Sequence, residues 1–211
     1  MAKTEFSRII DSLSSLQNRR STIFGADAHG FHLNPTLPEG DVRAFELRHS
    51  ISLPRDYREF LIKVGNGGAG PHYGIFRLGE MDDNFDMAPW REGDSVGILS
   101  NAFPFEEEWN DISAMPKRGS EALDKSKYWE QMSAFEEVYW GTSVVNGSFP
   151  ICHQGCALRI LLIVTGPQAG YLWDDRRSEY AGLKPLRLAD GSRATFLRWY
   201  EEWLEGCLAA L

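Results

Sequence analysis

Residues 53 to 76, LPRDYREFLIKVGNGGAGPHYGIF, constrain the fold more than any other stretch of the chain. Tyr57, Phe60, Leu61 and Val64 fall at i, i+3, i+4 and i+7, the spacing of one buried helical face. Pro54 suits the first turn of that helix, where a missing N–H has no partner to lose. Asp56 places a negative charge near the positive end of the helix dipole. Gly65 ends the helix, Asn66 and the following glycines permit positive φ, and Pro71 blocks any resumption. Residues 73 to 78, YGIFRL, then read as a strand. A glycine-rich run beside a helix invites a phosphate-binding reading, but the order of elements is wrong. Phosphate loops lead from a strand into a helix, so that N–H groups face the anion. Here a helix C-terminus enters the loop with its carbonyls, and no Gly-Lys-Ser/Thr follows. The run is a turn.

Along the rest of the chain the periodicity alternates between helical and strand-like stretches. Phe6, Ile9, Ile10, Leu13 and Leu16 predict an amphipathic N-terminal helix, and Val42, Phe45 and Glu46 begin another. Residues 25 to 40 carry Gly, Pro and His without periodicity and read as a loop. Residues 80 to 118 read as irregular, with a short strand at 96–99. A helix over 120–138 would turn Leu123, Tyr128, Met132, Phe135 and Val138 to one side. Short β-type runs follow at 148–153, 157–165, 170–174 and 183–188, and the tight spacing of the first three predicts an antiparallel meander. A closing helix at 194–209 carries Phe196, Tyr200, Trp203, Leu204, Cys207 and Leu208 as its apolar stripe. Helices, then successive strands, then a helix predict an α+β single domain with a largely antiparallel central sheet flanked by helices. Residues 1–38 are expected to form a helix-and-loop extension to a domain over 39–211.

Chemistry is harder to find. Three cysteines among 211 residues cannot all pair within one chain, which favours a reducing cytoplasm. No apolar run approaches bilayer length, and the first 16 residues lack the apolar core of a signal peptide. Cys152, His153 and Cys156 are metal-ligand types, but two closely spaced pairs are missing, so the cysteines read as small buried hydrophobes. No Gly-x-Ser-x-Gly, no His-Glu-x-x-His and no local setting for any of the five histidines points to catalysis. Residues 173–177, WDDRR, read as a strand ending in a charged hairpin turn. The expectation is a protein without catalytic residues, metal or cofactor.

Charge is informative by its position. The net charge of −8 argues against direct nucleic-acid binding. Ten acids lie between positions 80 and 111 against the single base Arg91, while the other 20 acids meet 21 bases. The negative excess therefore sits in one segment, interleaved with Phe85, Trp90, Phe103, Phe105 and Trp109. Those aromatics have two readings: core anchors of a solvated loop, or contact residues for a basic protein. On the second reading Asp82, Asp83, Asp86, Glu106, Glu107, Glu108, Trp109 and Asp111 are the partner-binding residues.

The blocks LPRDYREFL, GNGGAGP and YGIF resemble the signature of the SUKH superfamily, which includes fungal regulators of cell-wall assembly and many bacterial immunity proteins. The resemblance continues through PFEEEW at 104–109, GSFPI at 147–151, LIVTG at 162–166, GYLWDDR at 170–176 and FLRWYEEWL at 196–204, covering about residues 40 to 208. It implies a central sheet flanked by helices, no catalytic residues, and cytoplasmic neutralisation of a polymorphic or contact-dependent toxin, frequently a nuclease. A cognate toxin, basic in charge, is then the expected partner, with no nucleic acid or membrane bound directly. A regulatory scaffold like the fungal members and a small-molecule hydrolase with a site assembled only by the fold are the rival readings.

Overall fold

The computed structural model of this chain describes residues 5–17, 23–83, 86–91, 94–122 and 124–210. Helix α1 (Glu5–Gln17) buries Ile9, Leu13 and Leu16 and leaves Ile10 on its outer side. Its stripe lies in the main core with the C-terminal helix, so the described part of the expected extension shares that core with residues 39–211. Residues 25 to 40 are not wholly loop. A single helical turn, α2 (Ala26–His29), stands between left-handed Gly25 and Gly30, too short to produce any periodicity. Helix α3 (Glu39–His49) follows, burying Val42 and Phe45, and then α4 (Arg55–Lys63) with Tyr57, Phe60 and Leu61 inward. Pro54 caps α4 rather than sitting within it: its ψ of 136° is extended, while its carbonyl accepts from Arg58 N–H at 2.9 Å.

The middle of the chain departs furthest from expectation. Residues 80–83 and 86–89 are not irregular but pair as antiparallel strands, β1 (Glu80–Asp83) with β2 (Asp86–Pro89). Residues 96–99 form no strand. Their backbone is instead pinned by Asn146, whose Oδ1 accepts from Ile98 N–H at 2.8 Å. Helix α5 (Lys125–Tyr139) starts later than predicted because Asp124 caps it, accepting from Lys127 N–H at 3.0 Å. Met132, Phe135 and Tyr139 form its buried stripe, whereas Val138 is 73% exposed, against expectation. Leu123 lies outside the described residues.

Three strands then run as the predicted meander, and a fourth extends it: β3 (Ser148–Gly155), β4 (Leu158–Ile163), β5 (Leu172–Asp175) and β6 (Leu183–Pro185), all antiparallel and in chain order. Helix α6 (Phe196–Ala209) closes the chain, with Phe196, Tyr200, Leu204 and Cys207 buried. The chain is thus a mixed α+β domain with two antiparallel sheets, of two and four strands. The larger sheet is covered on both faces. Ile160 and Leu162 enter the main core with Phe149 and Leu172, while Leu161, Ile163, Trp173 and Leu183 meet Phe103 and Val145 on the other side. Double burial explains why residues 160–164 read as an unbroken apolar run instead of alternating. Among the described residues no helix is long and apolar enough to cross a membrane.

Candidate functional site

Each edge of the four-stranded sheet is closed by a segment that the sequence singled out. At β3 the closure comes from the glycine corner. Ile75 bridges Cys152, with Phe76 N–H donating to Ile151 O at 2.8 Å and Tyr73 N–H to His153 O at 3.2 Å. The predicted strand over 73–78 shrinks to this bridge because Gly74, at φ +101°, breaks the extended path. Gly68 pairs with Ile75 on one side and Leu33 on the other. A Cβ at Gly68 would meet His32 O at 2.5 Å, and its φ of +99° is left-handed besides. Tyr200 donates its hydroxyl to Ala69 O at 2.7 Å, and Asp56 Oδ2 accepts from Leu197 N–H at 3.1 Å, so α6 holds both ends of the corner. These contacts consume the loop's polar groups in holding the fold.

At β6 the closure comes from the acidic segment. Trp109 and Leu183 exchange N–H···O bonds of 2.9 and 2.8 Å. The Trp109 ring is half-buried, stacked between Phe105 (4.9 Å) and Tyr139 (5.3 Å). Glu106, Glu107, Glu108 and Asp111 around it are exposed. Glu107 meets Arg193 at 3.2 Å and Glu108 meets Lys184 at 2.9 Å. Asp111 accepts from the Ser113 hydroxyl and N–H at 2.6 and 3.1 Å, bonds that hold its carboxyl below the usual range.

The acidic segment does not form one surface. Asp82, on β1, lies 2.9 Å from the guanidinium of Arg159 and 3.8 Å from His153 Nε2, at the opposite side of the sheet. Arg159, Asp175, Leu183 and Trp109 occupy one register row, so three strand spacings, about 14 Å, separate Arg159 from Trp109. Arg159 is largely buried, and burial pulls its pKa down while Asp82 supports the charge. Asp82 is therefore a counter-ion within the fold. Asp83 on β1 pairs with Asp86 on β2, and the side chains of both, like Phe85 and Glu92, lie outside the described residues. Trp90 and Phe103 turn inward: Trp90 onto Phe45 (5.8 Å) and Phe149 (5.3 Å), Phe103 onto Trp173 (4.8 Å).

Strand β5 ends, as read, in a charged turn to antiparallel β6, but the turn is not wholly solvated. Arg177 is fully buried and bidentate on Asp175, at 2.9 and 2.7 Å, with its plane 5.1 Å from the Trp140 ring. Burial is tolerable because each charge has its partner and α5 supplies the Tyr139 carbonyl at 3.5 Å. Cys152 and Cys207 are buried as expected, but Cys156 is exposed, since it falls in the β3–β4 turn at φ +50° and not on a strand. Among the described residues no three His, Cys, Asp or Glu side chains gather as a metal ion would require.

Sequence reasoning missed the basic residues that answer the acids. Arg159, Lys184 and Arg193 lie 76 or more positions beyond the acids they meet, and no local pattern announces them. The chain matches no protein-family profile, no curated protein and no solved structure.

Proposed function

We propose that the chain is a cytoplasmic immunity protein of SUKH type, which binds and neutralises a polymorphic or contact-dependent toxin with a cationic surface. A nuclease toxin supplies such a surface, because a groove for phosphates must be basic. The observation that carries the reading is the loop at the β6 edge. Four exposed carboxylates, Glu106, Glu107, Glu108 and Asp111, are presented by backbone fixed at several points. Phe103 N–H donates to Thr165 O at 2.9 Å, Trp109 is laddered to Leu183, and Arg193 donates to Glu106 O at 2.7 Å. A fixed loop loses little conformational freedom on binding, and clustered charge of one sign accelerates encounter with the opposite sign. Asp82, engaged with Arg159, is no part of this surface.

The test is protection. A toxin domain found encoded beside this gene should arrest growth when expressed alone, and co-expression of this chain should restore growth and yield a stable complex. Arrest that persists under co-expression, with no complex on size-exclusion chromatography, would overturn the proposal.

A further inference from the structure

On the side of Trp109 that faces α5, the surface opens into a groove of about 440 Å³, within the range of about 300–1,000 Å³ typical of ligand clefts. Trp109, Phe135 and Tyr139 line it, with Met115, Ala134 and Val138 among its walls. Ala134 and Val138 are exposed, one turn apart on the same helix face. Val138, on the groove wall, is 73% exposed, and Ile112 (43%) follows Asp111, which also lines the groove. Scattered exposed apolar residues need no explanation, but an exposed apolar wall beside a concave apolar floor marks an interaction site.

Charge decides among occupants. Residues 106–141 hold nine acids and four bases, five of the chain's eight net negative charges. From 128 to 141 there are three acids, Glu130, Glu136 and Glu137, and no base. Asp111 lines the groove, while Lys117 and Arg118 follow its wall at Pro116 and Lys127 lies one turn before Gln131. The last turn of α5 carries no basic residue, so its carbonyl end keeps its partial negative charge. Arg177 reaches Tyr139 O from below, but Asp175 already neutralises it. A second copy seated here about a two-fold axis would set these acids against their own kind. An anionic lipid surface would meet the same repulsion.

We infer that this groove, with Trp109 and Tyr139 as its floor, receives a basic amphipathic helix of the partner, its apolar face in the groove and its lysines or arginines against the acidic rim. Such a helix binds through apolar anchors at i, i+3 or i+4, and i+7. The inference rests on the reading of the chain as a binder of a cationic protein, and adds where the partner's apolar anchors go.

Three synthetic peptides of equal length test it on the whole chain, labelled for NMR. One is a Leu/Lys amphipathic helix, one carries the same leucines with Glu for Lys, and one the same lysines with Ser for Leu. The Leu/Lys peptide should shift the amides of Ala114, Ala134 and Val138. Its affinity should fall by at least about tenfold in Val138→Ser and in Ala134→Gln, both exposed and uncharged changes. The Ser/Lys peptide should bind weakly and equally to all three proteins. Binding of the Leu/Lys peptide elsewhere, or unchanged in both variants, overturns the groove and leaves the acidic-loop reading standing. Equal binding of the Leu/Glu peptide overturns the charge assignment, and no binding by either lysine peptide overturns both. Self-association at the NMR concentration that Val138→Ser abolishes would make the occupant a second copy and overturn the inference.

Discussion

The two edges of the four-stranded sheet are closed in opposite ways. Beside β3, the glycine corner brings backbone onto backbone so tightly that Gly68 has no room for a Cβ, and its loop polar groups face inward. Beside β6, a tryptophan makes the same kind of bridge, yet three of its neighbours are carboxylates left in solvent. One closure uses up its residues in making the fold, while the other presents side chains that the fold does not need. The lesson is that edge protection, required of any open sheet, can double as a platform where closure runs through aromatic rings.

The sharpest way to break this contrast is to attack the support under the β6 edge. Arg177→Met strands Asp175 as an unpaired buried carboxylate beneath Tyr139, and should cost about 3–5 kcal/mol in denaturant unfolding. Asp175→Asn combined with Arg177→Met removes both charges and should recover a large part of the loss. If the single and double variants were equally damaged, packing and not charge pairing would be what Arg177 supplies.

Next comes the β3 edge. Gly68→Val adds a branched side chain where His32 O already stands 2.5 Å from the missing Cβ, at a left-handed φ, and should cost about 2–4 kcal/mol. Gly119→Ala is the control, since Gly119 has a φ of +91° but nothing within 4 Å of its Cβ position. It carries the backbone strain without the collision, and should cost only about 1 kcal/mol. A cost for Gly68→Val no larger than the control would show that the corner yields, removing the difference between the two edges.

How far the sequence announced these edges follows from the range of the interactions. The meander, α4 and α6 were legible because each depends on spacing within one segment. The glycine corner was legible as a turn because positive φ is a local demand. The pairing of 80–83 with 86–89 was not, because acids are poor strand formers and mask the pleat. Burial of Arg177 could not be read from WDDRR, since α5 and Trp140, some 37 positions earlier, make its pocket. Helical period puts Val138 on one side with Met132 and Phe135, but Tyr139 takes that direction and leaves Val138 on the groove. The acidic segment divided for a similar reason: Arg159 claims Asp82 through tertiary structure alone.

The edges should also differ in their response to acid. His29, His72 and His153 lie at or beside the glycine corner, and burial lowers the pKa of each from its ordinary value near 6.5. For His153, Arg159 pushes the same way and Asp82 opposes. With folded values below the unfolded one, the unfolded chain takes up these protons first as pH falls. The stabilisation is therefore complete above about pH 6.5 and is lost as pH drops through the folded values. Amide exchange at pH 5, corrected for intrinsic rate, should thus show Ile75 and Phe76 losing more protection relative to pH 7 than Trp109 and Leu183 do. Equal losses at both edges would mean that the histidines do not localise the acid response.

The smallest effect on stability, and the most telling for function, belongs to the acidic loop itself. Reversing Glu106, Glu107 and Glu108 to Lys breaks two exposed ion pairs, Glu107 with Arg193 and Glu108 with Lys184, and sets like charges near those bases. Exposed pairs are worth about 0–1 kcal/mol each, so the melting curve should move little. The loop keeps its place because its anchors are not carboxylates: Arg193 still reaches Glu106 through the main-chain oxygen of that position, and Trp109 still ladders to Leu183. Association with a basic toxin domain is another matter, because steering acts before contact and depends on the sign of the whole patch. In stopped flow at two salt concentrations, the triple variant should associate more slowly and with a weaker salt dependence. Dissociation should change far less if the apolar contacts form on the α5 side of Trp109. Unchanged association rates would mean that the carboxylates only solvate the loop, and the β6 edge would then be as purely structural as the β3 edge.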